Sequence, residues 1–242
     1  MDTLKIRAGA CKMVAHRGVS GLEKENTMAA FVAAGNRSYY GIETDIHRTL
    51  DGHYVAIHDA DTGRVARQKL NVGQSTLAEL RAICLNDIAD GEPRGDLRIP
   101  TLQEYARVCK RYGKVSVLEL KDDFSRAQLE EIIAILRAEG QLENVVFIAF
   151  ALENLLRLRE ILPEQPAQYL VSRMEEGVEQ ALLAHGLDLD AHYAAVDAAL
   201  VQRLHAHGRK VNCWTVDAPE EARRLVAMGV DYITSNILEG GD

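Results

Sequence analysis

The chain has 242 residues, 47% of them hydrophobic, a length that suits one α/β barrel as well as two small domains. Its formal net charge of −8 argues against a nucleic-acid or anionic-membrane surface, because phosphate backbones need clustered Lys and Arg. The expected partner is a small molecule, with no nucleic acid and no stable membrane insertion.

The start of the chain, Met-Asp-Thr-Leu-Lys-Ile-Arg, lacks the apolar h-region of a signal peptide, and no apolar run approaches the roughly 18 residues of a membrane span. The expectation is a cytoplasmic protein, monomeric or homodimeric. Cys11, Cys84, Cys109 and Cys213 contain no Cys-x-x-Cys pair, which suits reduced, buried thiols rather than a zinc site or a disulfide framework. Cys213 reads as a small core residue rather than a nucleophile.

In chain order, Met13 to Gly18 reads as a short strand ending in His16-Arg17-Gly18, followed by a loop and a helical run from Thr27 to Ala34. Gly41 to Ile46 is the second strand. Asp51-Gly52 is a hairpin signal, and the few residues between Asp45 and Tyr54 leave no room for a parallel crossover. The return strand is therefore antiparallel, with Ile57 to Asp59 opposite roughly Thr44 to Ile46. His47 and His53, flanking the turn, are expected to be exposed.

Residues 60–100 carry Gly63, Gly73, Gly91, Pro93, Gly95 and Pro100 and one short helical run, Leu77 to Ile83, which marks an insertion. Thr101-x-x-Glu104 and Ser125-x-x-Gln128 are capping boxes that open helices. Further strands are expected at Val115 to Lys121, Val145 to Phe150, Gln168 to Val171, Tyr193 to Val196, Lys210 to Trp214 and Tyr232 to Thr234. Helices are expected near 152–162, 175–185, 198–207 and 219–228. Setting the hairpin return aside leaves eight parallel strands alternating with helices, the pattern of a (β/α)8 TIM barrel. The expected organisation is one catalytic domain, 1–242, with the 60–100 insertion after the second strand's hairpin. A doubly wound sheet is the alternative, but no Gly-rich dinucleotide fingerprint supports it.

Barrel active sites form where strands end at the C-terminal face. The first strand ends in His16 and Arg17, the second carries Glu43 and Asp45, its return delivers His58, and the third parallel strand ends in Glu119 and Lys121. Residues two apart on a strand share a face. Three carboxylates with no metal-spaced Cys or His suggest a hard divalent cation, Mg²⁺ or Ca²⁺. Cationic side chains beside such a site favour a phosphate, and two imidazoles can take a proton from the attacking oxygen and give one to the departing alkoxide. That chemistry is phosphodiester cleavage.

His16-Arg17-Gly18, Glu25-Asn26-Thr27, Glu43-x-Asp45, Asp51-Gly52, His58-Asp59, Glu119-Leu120-Lys121, Trp214-x-x-Asp217 and Gly229-Val230-Asp231 resemble, in order and spacing, the glycerophosphodiester phosphodiesterases. The resemblance spans nearly the whole chain and is densest over residues 14–59. It implies a divalent cation on Glu43, Asp45 and Glu119, His16 and His58 as the acid/base pair, and Arg17 and Lys121 on the phosphate. Trp214 would lie near the glycerol end of the substrate. The implied reaction converts a glycerophosphodiester and water to glycerol 3-phosphate and an alcohol such as choline or ethanolamine. Whether water or the neighbouring glycerol hydroxyl attacks first stays open.

Two departures concern the pocket wall. Many members carry Ser-Phe where this chain has Ala149-Phe150, and Thr-Asp-x-Pro where it has Thr234-Ser235-Asn236. Other readings are a hydrolase of a lysophospholipid or glycerophosphoinositol diester on the same scaffold, and a catalytically silent phosphate-binding barrel. The intact histidines and carboxylates count against the last.

Overall fold

The computed structural model describes residues 2–89 and 91–241; Met1 and Asp242, at the ends of the expected domain, and Asp90, within the expected insertion, lie outside the described residues. Strand β1 (Leu4–Ile6) precedes β2 (Lys12–Ala15). Thr27 then caps helix α1 (Met28–Gly35), its hydroxyl accepting from Ala30 N at 3.2 Å. Strand β3 (Gly41–Arg48) turns back as β4 (Tyr54–Ala56). Capping boxes open both α2 (Leu77–Ala82) and α3 (Leu102–Tyr112), and α3 ends at Gly113, whose φ of 62° is a left-handed conformation that costs glycine little.

The alternation continues through β5 (Val115–Leu120), α4 (Arg126–Ala138), β6 (Val145–Ala149), α5 (Leu152–Ile161), β7 (Ala167–Val171), α6 (Val178–His185), β8 (Asp188–His192), α7 (Ala198–Ala206), β9 (Val211–Trp214), α8 (Pro219–Met228) and β10 (Tyr232–Ser235). β11 (Leu238–Gly240) returns to pair in parallel with β1 outside the barrel. Strands β2, β3, β5, β6, β7, β8, β9 and β10 pair side by side in parallel, and β10 pairs with β2. The eight strands thus close into the expected parallel barrel with flanking helices.

Two faces of each strand build two cores. Ile42, Ile46, Leu118, Phe147 and Leu189 face the helices and join one large cluster with Leu102, Tyr105, Leu129 and Ile132. Val14, Val117, Ile148 and Leu170 alternate with them along the strands and form a small separate cluster inside the barrel. Tyr105 ties α3 to β3 by donating its hydroxyl to Ile42 O at 2.6 Å. Residues after β4 build a third cluster, in which Val65, Val72, Leu80, Leu97 and Ile99 pack on Val55 and Ile57 of the hairpin return. The 60–100 segment therefore sits directly on the hairpin return that leads into His58.

Four sequence expectations are corrected. The strand expected at Tyr193 to Val196 lies at Asp188–His192, and Tyr193–Ala195 is a 3₁₀ turn. Asp188 and Asp190 disguise the strand because they are acidic, yet Leu189 and Ala191, which alternate with them, are fully buried against the helices. Helix α6 starts at Val178 rather than near 175, because Gly177 with a φ of 90° sets its boundary. Cys84 is only half-buried, whereas the other three thiols are buried. His47 is buried rather than exposed, for reasons that belong to the site.

Candidate active site

Parallel pairing of β3 with β5 sets Asp45 directly beside Glu119, and the period of two puts Glu43 on the same face as Asp45. The three carboxylates are buried, with one oxygen of each within 4.8 Å of the others. Local structure aims them. Arg17 adopts a φ of 53°, and its backbone N–H donates to Glu43 Oε2 at 2.7 Å. Asn26, with a φ of 52°, donates from Nδ2 to Asp45 Oδ2 at 2.8 Å while its own oxygen accepts from Thr44 Oγ1 at 2.7 Å. That leaves Asp45 Oδ1 buried with no hydrogen-bond partner.

Two cations face the cluster. Lys121 Nζ donates to Glu119 Oε1 at 2.9 Å and stands 3.7 Å from Asp45 Oδ1, and Arg17 Nε lies 3.6 Å from Asp45 Oδ2. Burial, together with Asp45 and Glu119, raises the Glu43 carboxyl well above the ordinary range. Burial and Asp45 push Glu119 up to about 7. Burial would raise Asp45 as well, but Arg17, His58 and Lys121 hold it low. Close, buried carboxylates, two of them raised by burial and by their acidic neighbours and one oxygen being unpartnered, fit a hard divalent cation bound through oxygen.

The two histidines approach from opposite sides of the chain. His16 directly follows β2, and its Nδ1 lies 2.7 Å from Asn236 Oδ1. The Asn236 amide is oriented by Asp217, whose Oδ2 accepts from Asn236 Nδ2 at 2.6 Å. His16 must then carry its hydrogen on Nδ1, which leaves the lone pair on Nε2. Burial and the neighbouring Arg17 lower His16 to about 4, so the ring is neutral at pH 7. His58 pairs through Nδ1 with Asp59 Oδ1 at 2.7 Å, and Arg64 from the 60–100 segment holds the other Asp59 oxygen at 2.6 Å. Arg64 also grips Glu25, which in turn accepts from Arg17 at 2.9 Å. Burial lowers His58 while Asp45 and Asp59 oppose it.

His47 supports this arrangement from behind. Its Nδ1 meets Asp122 Oδ1 at 2.6 Å and its Nε2 meets the His58 carbonyl at 3.1 Å. Both partners are acceptors and favour the charged ring; burial lowers the His47 pKa, but Asp122 outweighs it and the net direction is up.

His16, Arg17, Glu43, His58, Glu119 and Trp214 line one cavity, with Ile148, Phe150, Leu170, Asp190, Thr215 and Thr234 as its other walls. Asp45 and Lys121 adjoin it through the contacts above. Trp214 is not a core aromatic: its indole N–H donates to the Asp190 carbonyl at 3.3 Å, and Phe150 meets it edge-on with ring centroids 5.7 Å apart. Sequence reading assigned no role to Asn236, Arg64, His47 or Asp190. Glu25, Asn26, Asp59 and Asp217 stand in the resembling motifs and Asn236 at a departure from the family pattern, whereas Arg64, His47, Asp122 and Asp190 come from segments whose neighbours are set by tertiary pairing.

The sequence profile of the glycerophosphoryl diester phosphodiesterase family matches residues 16–239. A glycerophosphodiester phosphodiesterase of Caldanaerobacter subterraneus subsp. tengcongensis is 30% identical over 227 residues, covering 93% of each chain. Among solved structures, an Oleispira antarctica phosphodiesterase in complex with the product sn-glycerol-3-phosphate is 28% identical, with a TM-score of 0.82 over 93% of each chain. A glycerophosphodiester phosphodiesterase from Parabacteroides distasonis is 25% identical, with a TM-score of 0.79 over 94% of this chain and 93% of that one.

Proposed function

The chain belongs to the glycerophosphoryl diester phosphodiesterase family, a family of hydrolases, and on that premise we propose that it cleaves glycerophosphodiesters to glycerol 3-phosphate and an alcohol. The observation that carries this reading is the single cavity in which His16 and His58 face the acidic cluster of Glu43, Asp45 and Glu119. The product bound by the Oleispira relative supports it.

In this reading Glu43, Asp45 and Glu119 hold Mg²⁺ or Ca²⁺, which when bound neutralises charge on the phosphate oxygens. Arg17 and Lys121 bind the phosphate alongside. His16, neutral with its lone pair on Nε2, accepts the proton of the attacking oxygen. His58, backed by the Asp59 carboxylate, gives a proton to the leaving alkoxide. Trp214 lies against the glyceryl end. Residues 1–242 act as one catalytic domain, with the 60–100 insertion supplying Arg64 to orient Asp59. Among the described residues no helix is long and apolar enough to cross a membrane, and the proposed setting is the cytoplasm with a freely diffusing substrate.

The test is release of glycerol 3-phosphate from glycerophosphocholine and glycerophosphoethanolamine with Mg²⁺, with Ca²⁺ and with chelator. Metal-dependent release is expected. Release undiminished by chelator contradicts the metal assignment, and none on either diester contradicts the substrate.

A further inference from the structure

Asp190 stands apart from the groups used so far. It lies in the middle of β8, is 2% exposed, and its side chain lines the same cavity as His16, Glu119 and Trp214. Its Oδ1 has no hydrogen-bond partner among the described residues. Register places it between Leu170 of β7 and Asn212 of β9 in the inward-facing layer of the barrel.

Asn212 reaches the Asp190 carboxyl but leaves Oδ1 without a donor, and its side chain is engaged elsewhere as well. Asn212 Nδ2 donates to Gln168 Oε1 at 3.3 Å, and Thr234 Oγ1 donates to Asn212 Oδ1 at 3.2 Å. A buried carboxyl oxygen without a donor is costly, and the cost is relieved when a ligand brings the missing hydrogen. Ile148, Leu170 and the Trp214 indole give the cavity apolar walls, while Glu119 and Asn212 are the polar neighbours of the Asp190 carboxyl. Such a recess accepts carbon atoms along its sides and one hydroxyl at Asp190. A carboxyl oxygen accepts that hydrogen whether or not the acid is ionised.

We propose that Asp190 receives a free hydroxyl of the substrate's glyceryl group and so selects phosphate esters of polyols over those of plain alkyl alcohols. This inference rests on the functional reading above and deepens it. A site built to bond a hydroxyl discriminates strongly against the analogue lacking it, because its buried acceptor is then left bare.

Calorimetric titration of sn-glycerol 3-phosphate and of n-propyl phosphate, both with Mg²⁺ present, tests the proposal on the full chain and on Asp190→Leu and Asp190→Val. The native chain is expected to bind glycerol 3-phosphate at least about tenfold more tightly than propyl phosphate. In Asp190→Leu the ratio is expected to fall near one through weaker glycerol 3-phosphate binding, propyl phosphate staying within about twofold. If the leucine variant does not fold, Asp190→Val, which also lacks an acceptor and suits a strand, decides, with an expected drop in the ratio of about threefold or more. A native ratio near one, or a ratio unchanged in the folded variants, overturns the proposal. The outcome is separable from that of the catalytic reading. A tenfold native ratio without hydrolysis of glycerophosphocholine sinks catalysis and leaves the Asp190 subsite standing; hydrolysis with a ratio near one does the reverse.

Discussion

Nδ1 of His16 lies 2.7 Å from the side-chain oxygen of Asn236, and the Asn236 amide nitrogen turns away to Asp217 at 2.6 Å. Two residues more than 200 positions apart in the chain thereby settle which ring nitrogen of His16 carries the hydrogen. Asn236→Ala removes that choice and frees the ring to take the other tautomer. The expected result is a fall in kcat of about tenfold or more with little change in KM, since proton transfer and not binding is disturbed. A raised KM with kcat intact contradicts the orienting role.

The acidic cluster predicts cation binding that depends on each member. Titration calorimetry with Mg²⁺ and Ca²⁺ should show Glu43→Gln and Glu119→Gln weakened by about tenfold or more, because each removes a charged oxygen ligand. Unchanged affinity in both variants removes the three-carboxylate site.

His16 and His47 predict opposite pH dependences of stability. His16 titrates near 4 in the folded protein against about 6.5 unfolded, so the unfolded chain binds more protons between those values. Stability falls as pH drops through that window, by at most about 1.4 kcal/mol per pH unit from this group. His47 is raised instead, so its contribution is present below about 6.5 and is lost as pH climbs through its folded value. Urea melts across pH should show His16→Gln flattening the acid side of the native curve and His47→Gln the alkaline side. Variants that follow the native curve at a constant offset contradict both environments.

Helix α3 predicts a stability effect remote from chemistry. Thr101 caps it, Glu104 bonds back to Thr101 N at 2.8 Å, and the same carboxylate takes Arg81 from the insertion. Thr101→Ala should cost about 1 kcal/mol in denaturant unfolding without changing KM. A loss below a few tenths says the cap is replaced by water.

Features governed by neighbours in sequence were legible from the residues alone. Thr101-x-x-Glu104 and Ser125-x-x-Gln128 are the capping boxes found in the structure, and Asp51-Gly52 turns β3 into β4 with Ile46 opposite Ala56, within a residue of the expected register. The pairing of Glu43, Asp45 and Glu119 was legible because period two applies within a strand and adjacent parallel strands align their ends. What escaped was set by partners far along the chain. Asp190 made β8 look like a loop, since an inward acidic residue in a barrel breaks the apolar pattern. His47 looked like an exposed turn residue because nothing local announces Asp122 behind it. Asn236 stood where the family pattern changes, and only the β2–β10 pairing brings it to His16.

The most direct measurement is kcat for glycerol 3-phosphate release from glycerophosphocholine by the native chain, His16→Gln and His58→Gln, at saturating Mg²⁺ or Ca²⁺ with metal binding checked on each protein. Both variants are expected to bind the cation and to lose about 10²-fold or more in kcat. Full turnover in either variant with the cation bound would contradict the two-histidine chemistry on which the account rests.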